Sequence, residues 1–272
     1  MEFTNRKFGV EIEFLATVSR EEVVREICSN GITCYDEGYN HDDHIDHWKL
    51  VRDGSCGLEL VSPILSGEDG LRQIEVVCGV MKELHAKVDR SCGLHVHVDA
   101  RNLSPKDIAK VFIGYARYEP MFDALMPESR RRNLNGYCAS IKFAVQYAED
   151  FSDDLRRAYD RYFGTRYTKV NLESLIRHGS IEFRQHSGTI ESEKINNWVV
   201  LMVGFVDEII KYRMATKLPV MTLASFKTLF GIKSNSTDNR IAILADYLTK
   251  RLWEMSSLRP SQTIGAPVTL VI

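Results

Sequence analysis

The chain has 272 residues, 44% of them hydrophobic, and a formal net charge of −2. That length allows one large domain or two closely packed ones with a sizeable core, and so even a charge gives no whole-chain signal for a nucleic-acid or membrane-surface binder. No run approaches the roughly 18 consecutive apolar residues of a membrane span, and the opening MEFTNRKFGVEIE does not read as a secretion signal.

Residues 7–15 predict a strand and 19–29 a helix, opened by Ser19 with Glu22 three residues later in capping-box position. Residues 30–46, rich in Gly, Asn, Asp and His, read as a loop. Residues 48–51 and 57–62 read as the arms of a hairpin joined by Asp53-Gly54-Ser55 and closed by Pro63. In 69–88 the residues Leu71, Ile74, Val77, Val80, Met81 and Leu84 recur at threes and fours, which predicts an amphipathic helix against the apolar face of a sheet. Residues 93–100 return to strand. Ser104-Pro105 with Asp107 opens a helix that runs to about Leu125 and stops before Pro127. A basic loop at 130–132 precedes a charged helix near 151–160, strands at 167–172 and 180–185, and helices at 191–214 and 238–255 that cover the sheet. The apolar ending VTLVI, within 261–272, reads as a tail, an added edge strand or an assembly contact, so a homo-oligomer is one outcome.

Three of the strands carry ionisable groups at every second residue: Glu11 and Glu13 in GVEIEF, His95, His97 and Asp99 in GLHVHVD, and Glu182, Arg184 and His186 in IEFRQH. Because side chains alternate across a strand, each set points to one face while Ile12, Val96, Val98, Ile181 and Phe183 point to the other. Taken singly, each segment is also what a half-solvated strand looks like. Together they gather carboxylates and imidazoles whose like charges repel unless a cation intervenes, and oxygen-rich sites of this kind suit Mg²⁺ or Mn²⁺. Glu59, in GLELVSP, adds a carboxylate from the hairpin arm, and an acid beside Arg184 lets one strand hold a cation and clamp an anionic oxygen. Gly93 permits close approach of a ligand or neighbouring strand.

Other clusters are weaker. His41, His44 and His47 are spaced three apart in a segment that reads as loop. The six cysteines contain no Cys-x-x-Cys pair, and reduced thiols in a cytoplasmic protein fit best, with Cys92 and Cys138 as structural thiols rather than nucleophiles. Neither a P-loop nor a dinucleotide-binding glycine motif is present. Any phosphate charge would then fall to cations and to Arg130, Arg131, Arg132, Lys142, Lys169 and Arg184.

The segments GVEIEF, DGS followed by ELVSPIL, CGLHVHVD and IEFRQHSGT occur in the order seen in the putative amidoligase family, and the chain resembles that family over most of residues 7–210. Its members are similar to glutamine synthetase and glutamate-cysteine ligase. The resemblance implies an α+β fold with a curved, mainly antiparallel sheet, glutamine synthetase catalytic-domain-like, and an ATP-dependent carboxylate-amine ligase with ATP and Mg²⁺, or Mn²⁺, on the concave face. It implies Glu11, Glu13, Glu59, His95 and Glu182 as metal ligands, and His97 and Arg184 as groups near the transferred phosphate. Residues 1–214 then form the catalytic domain and 215–272 a helical extension and tail.

The expected reaction activates a carboxylate as an acyl-phosphate, which an amine then attacks. Asp53, Asp99 and His186 are candidates for the base, Asp53 favoured by its place on a turn, and Asn171, Ser187, Thr189 and His186 are candidates for orienting substrate. The partners expected are small-molecule or peptide carboxylates and amines, with no nucleic acid and no membrane. Two rivals remain open: a metal-dependent hydrolase, which turns over without nucleotide, and a non-catalytic protein that binds metal or nucleotide and forms no ADP.

Overall fold

The computed structural model describes residues 1–39, 46–212 and 222–257. In chain order the elements begin with β1 (Phe8–Phe14), α1 (Arg20–Ser29), β2 (Cys34–Gly38), β3 (Trp48–Asp53), β4 (Gly57–Val61), α2 (Gly67–Glu83), β5 (Gly93–Asp99) and α3 (Pro105–Ala124). They continue with α4 (Ala148–Asp153), α5 (Leu155–Tyr162), β6 (Val170–Asn171), α6 (Ser174–His178), β7 (Ser180–Ser187), α7 (Ser192–Ile209), α8 (Leu223–Leu229) and α9 (Asn239–Ser257). His41, His44 and the VTLVI ending lie outside the described residues. Two compact units divide the chain, one of Thr4–Asn102 and Asn171–Val203, the other of Met1–Phe3, Leu103–Val170 and Gly204–Ile272.

The first unit is built on a seven-stranded sheet in the order β2-β3-β4-β1-β5-β7-β6. The β1/β4, β1/β5, β3/β4 and β5/β7 pairs are antiparallel, and β2/β3 is parallel. The fold is therefore α+β with a mostly antiparallel sheet. One sheet face is apolar: Val10, Ile12, Phe14, Leu50, Leu60, Leu94, Val96, Val98, Ile181 and Phe183 are all buried. Helix α2 covers it, the Trp48 indole donating to Gln73 Oε1 at 3.1 Å. At Gly70 the approach is so close that a Cβ would sit 2.8 Å from Phe8 and Leu65. The first turns of α7 follow, with Asn196 Nδ2 donating to Glu75 Oε1 at 2.9 Å.

Local chemistry accounts for the boundaries. Ser19 Oγ accepts from the Glu22 amide at 3.2 Å and starts α1, and Ser104 Oγ does the same for the Asp107 amide of α3 with Pro105 in its first turn. Helix α2 ends at Glu83, shorter than the expected 69–88, because His85 takes a positive φ of 54°. Residues 30–46 were expected to be loop, yet Cys34–Gly38 forms β2. Only Cys34 of that edge strand is buried, so no alternation marks it. The charged segment near 151–160 is two helices, because Asp154 accepts from the Arg157 amide and starts α5.

The second unit packs α3 with aromatic residues: Tyr115 stacks on Phe122 at 4.3 Å, and Tyr118 meets Phe226 and Phe230 edge-on. Within it Lys169 is fully enclosed, its ammonium held by Glu119 at 3.0 Å and Asp123 at 2.6 Å. Among the described residues, no helix is long and apolar enough to cross a membrane.

The cysteine expectation needs correction at one pair. Cys56, at the start of the β4 arm, and Cys92, just before β5, are joined in a disulfide. Their strands flank β1 on either side, so the bridge ties the two neighbours of the central strand together at one end, a proximity that sequence spacing does not reveal. It spans 36 residues, and by loop-closure entropy removing it should cost about 4 kcal/mol. Urea unfolding of Cys56→Ser against the parent, with and without a dithiol reductant, measures that loss, and the reductant should destabilise only the parent. Cys28, Cys34, Cys78 and Cys138 form no disulfide, and burial pushes the thiols of Cys34 and Cys78 up to about 12, as inert structural thiols require.

Candidate active site

Register sets the polar face. Glu11 stands opposite His95 and Gly9 opposite His97 on β5, while Glu13 stands opposite Glu59 on β4. His97 in turn stands opposite Glu182 on β7. Directly opposed residues share a face, so β4, β1, β5 and β7 deliver Glu59, Glu11, Glu13, His95, His97 and Glu182 to one surface. His95 is the hub. Its Nδ1 lies 2.8 Å from Glu11 Oε2 and 3.5 Å from Glu182 Oε1, and its Nε2 lies 3.5 Å from Glu13 Oε1. His97 Nε2 meets Glu11 Oε1 at 3.2 Å and its Nδ1 meets Ser180 Oγ at 3.0 Å.

Supporting bonds hold the carboxylates in place. The Gly93 amide donates to Glu13 Oε2 at 2.5 Å, Asn171 Nδ2 donates to Glu182 Oε2 at 2.6 Å, and Arg184 Nη1 donates to Glu182 Oε1. Asn171 thus orients a carboxylate of the site, and its own Oδ1 accepts from the Glu173 amide. Ser180 was missed in the sequence reading, although it keeps the parity of Glu182 and Arg184 two residues earlier.

His186 does not join them. Between Leu94 and Val96 of β5 the pairing with β7 slips, so that Leu94 faces His186 while Val96 faces Phe183. Such a bulge inverts the alternation beyond it. His186 lands on the apolar side, 1% exposed, its ring 5.3 Å from Trp198 and its Nδ1 2.7 Å from the Ser187 carbonyl oxygen. Thr189 Oγ1 accepts from the Glu191 amide. Asp99 accepts from Arg101 Nε at 2.7 Å. Asp53 Oδ1 accepts from Ser55 N, Ser55 Oγ and Cys56 N, which pins the hairpin turn. Burial opposes its ionisation, but those donors and the nearby His95 hold its pKa below the ordinary value, so it is a weak base, contrary to the role favoured for it.

Apart from Arg184, the basic candidates fall in the other unit. Lys169 is engaged by Glu119 and Asp123 as described, and Arg131 donates to the Met126 carbonyl at 2.8 Å. Arg130 is buried, with Nη1 4.0 Å from Cys138 Sγ, and the Arg132 amide donates to Asp123. The Lys142 amide donates to Ser140 Oγ.

The face concentrates carboxylates around the His95 imidazole at short range. Ligand atoms of Glu11, His95 and Glu182 lie within 4.8 Å of one another, and so do those of Glu13, Glu59 and His95. Burial, and then the charges of Glu11, Glu13, Asp53 and Glu182, push the Glu59 carboxyl well above its ordinary value of 4.5. Burial works against ionisation of Glu11 too, yet the charge of His97 and hydrogen bonds from both histidines hold it well below that value. Glu182 is lowered by Arg184 and His97 against its own burial, and the acids raise His97 against its burial. Hard carboxylate oxygens with one imidazole, crowded enough to raise the Glu59 carboxyl's pKa, fit Mg²⁺ or Mn²⁺.

A pH test follows from the sign. Glu59 has a folded pKa above its unfolded one, so it adds stability that is fully present below about pH 4.5 and is lost as pH rises through the folded value. Metal-free protein should therefore melt at falling temperature as pH rises above that point. Millimolar Mn²⁺ should reverse the trend by replacing the proton, and Glu59→Gln should flatten it. A metal-free melting temperature that rises with pH equally in parent and variant would contradict this account of Glu59.

The family model described as a putative amidoligase enzyme matches residues 4–206. The chain belongs to that family. The amidoligase match takes in every residue of the face described above, from Glu11 to Arg184. Among solved structures, one similar to this chain is a novel glutamine synthase homolog, at TM-score 0.42 and 11% identity over 93% of this chain and 66% of that one. Another is the complex between prokaryotic ubiquitin-like protein Pup and its ligase PafA, at TM-score 0.37 and 12% identity over 97% of this chain. The chain spans 66% and 60% of those two chains' lengths. No curated protein matches it at a significant level.

Proposed function

We propose that this protein is an ATP-dependent carboxylate-amine ligase that makes an amide through an acyl-phosphate. The observation that carries the reading is the convergence of four glutamates, all but Glu11 buried, and the buried His95 on one face with Arg184 beside them. A divalent ion held by Glu11, Glu13, Glu59, His95 and Glu182 would supply charge neutralisation to phosphate oxygens. The rest of the chemistry falls to side chains. Arg184, whose positive charge the neighbouring acids reinforce against its burial, stabilises charge on the transferred phosphoryl group. His97, whose pKa Glu11 and Glu182 raise against its burial, adds a second donor there.

The substrate carboxylate oxygen attacks the γ-phosphorus of ATP, the bond to the bridging oxygen breaks, and ADP leaves. The amine nitrogen then attacks the acyl-phosphate carbonyl, phosphate departs with the C–O bonding electrons, and the nitrogen gives up its proton. The family membership and the guanidinium beside a cation site favour this reading over water activation, in which a fixed Arg on a ligand carboxylate has less to do. The test is Mg²⁺-dependent ADP release across pools of carboxylates and amines, with product masses read in parallel. A product equal to acid plus amine minus water, one ADP for each, is expected. Turnover without nucleotide would instead establish a hydrolase, and nucleotide binding without ADP would establish a sensor.

A further inference from the structure

The segment Asn171–Ser180, which leads from β6 through α6 into β7, meets the polar face at both of its ends. Asn171 Nδ2 donates to Glu182 Oε2, and Ser180 Oγ lies 3.0 Å from His97 Nδ1. Ser174, the first residue of α6, ties those ends together. Its hydroxyl donates to the Ser180 carbonyl oxygen at 2.5 Å and lies 3.2 Å from the Asn171 carbonyl oxygen. Asn171, Ser174 and Ser180 are all buried. Gly179 makes the turn into β7, with a φ of 66° and no room for a side chain, because a Cβ would lie 2.5 Å from Arg101 Cγ. Its carbonyl oxygen accepts from the Ala100 amide at 2.9 Å, which anchors the segment on the chain just beyond β5.

This segment supports His97 twice. Ser180 Oγ meets one ring nitrogen, and the His178 ring packs edge-on against the imidazole with centroids 5.7 Å apart. The other nitrogen, Nε2, meets Glu11 Oε1 at 3.2 Å. Glu11 is the less dependable partner, since its second oxygen is engaged by His95 and its carboxylate belongs to a set of donors that a cation would draw toward itself. Ser180 carries no charge for a cation to compete for. Its hydroxyl can donate to a bare ring nitrogen or accept from a protonated one, so it holds the ring in either state. An imidazole turns easily about its last torsion between two broad orientations. A fixed partner at Nδ1 selects the one that points Nε2 toward Glu11 and Glu182. We propose that the Asn171–Ser180 segment is a positioning clamp, acting through Ser180, that keeps His97 aimed at the transferred phosphoryl group when a cation engages Glu11. What His97 is aimed at rests on the ligase reading; that Ser180 aims it rests on the contacts above.

The test uses the full chain and compares Ser180→Ala with Ser180→Thr, which keeps the hydroxyl. Ser174→Ala cuts the tie from behind and leaves Ser180 in place, so one folding defect does not end the test; circular dichroism confirms each fold. The first readout is the imidazole nitrogen resonances of protein carrying isotope-labelled histidine, with and without Mg²⁺, and it needs no substrate. Ser180→Ala should move the His97 Nδ1 resonance and, on adding Mg²⁺, broaden both His97 ring signals, while the parent and Ser180→Thr keep one sharp set. The second readout is steady-state kinetics. Ser180→Ala should lower kcat about 10- to 100-fold, the scale for losing the group that orients a reacting side chain, with KM values within about threefold of the parent. Ser180→Thr should restore kcat, and Ser174→Ala should lower it by a smaller factor. His97 resonances that stay unchanged in Ser180→Ala overturn the proposal. A loss of stability with kcat unchanged marks a merely structural serine and overturns it too, as does a kcat loss that Ser180→Thr leaves unrestored; amide formation in those proteins keeps the ligase reading standing. Resonances that move in Ser180→Ala and return in Ser180→Thr, in a protein that joins no acid to any amine, uphold the hold of Ser180 on His97 and remove the ligase reading instead.

Discussion

Replacing Glu13 by glutamine should leave the fold intact and lower ligase turnover by about 10²- to 10³-fold, the scale for losing one charged ligand of a catalytic ion. The substitution is nearly isosteric, and the new amide oxygen can still accept from the Gly93 amide, which now lies 2.5 Å from Glu13 Oε2. What disappears is one of two carboxylates that face each other across the β1/β4 ladder. Like charges so placed repel, so the metal-free variant should melt no lower than the parent, while its stabilisation by Mn²⁺ should shrink sharply. That opposition of signs separates a ligand from a structural residue, because a structural glutamate would lose stability in both conditions. Turnover within about threefold of the parent and an undiminished Mn²⁺ shift would remove Glu13 from the site.

Arg184→Met should cost about 10³-fold in kcat and also weaken the fold, by about 3 kcal/mol. The guanidinium bonds Glu182 inside a surface where both are nearly enclosed. Deleting it leaves Glu182 with Asn171 and the more distant histidines as partners, and a buried carboxylate stripped of its counter-charge destabilises its surroundings. The two effects are separable. Arg184→Lys keeps a positive charge near Glu182 and should restore most of the stability, yet it lacks the planar fork and should recover little of the rate. Urea unfolding and steady-state phosphate release on the three proteins measure both. If kcat follows stability alone, Arg184 serves Glu182 and not the reaction.

Much of this face was legible because β1 and β5 are regular strands: Glu-Ile-Glu and His-Val-His alternate without interruption, and the apolar partners Ile12 and Val96 are buried on the far side. Glu182 and Arg184 reach the same face for the same reason. His186 did not, because the slip opposite His95 adds a residue to β7, and a backbone irregularity of that kind leaves no mark in an alternating pattern. Asp53 looked like a free carboxylate on a turn, whereas three donors of its own hairpin occupy one of its oxygens. Lys169 looked like a phosphate ligand until Glu119 and Asp123, some fifty residues earlier on α3, enclosed it. Cys56 and Cys92 were likewise invisible as a pair, since only the placing of β4 and β5 around β1 brings them together. In each case the missing information was a long-range contact, which local composition does not encode.

Strands β4, β1, β5 and β7 share a floor whose donors fit a divalent cation. Anomalous diffraction at the manganese edge, from crystals of the parent grown with Mn²⁺, addresses it directly. The expected result is a manganese peak bounded by His95 and the carboxylates of Glu11, Glu13, Glu59 and Glu182, lost or weakened in Glu13→Gln. A well-ordered face with no manganese at millimolar concentration, or manganese bound only elsewhere, would contradict it.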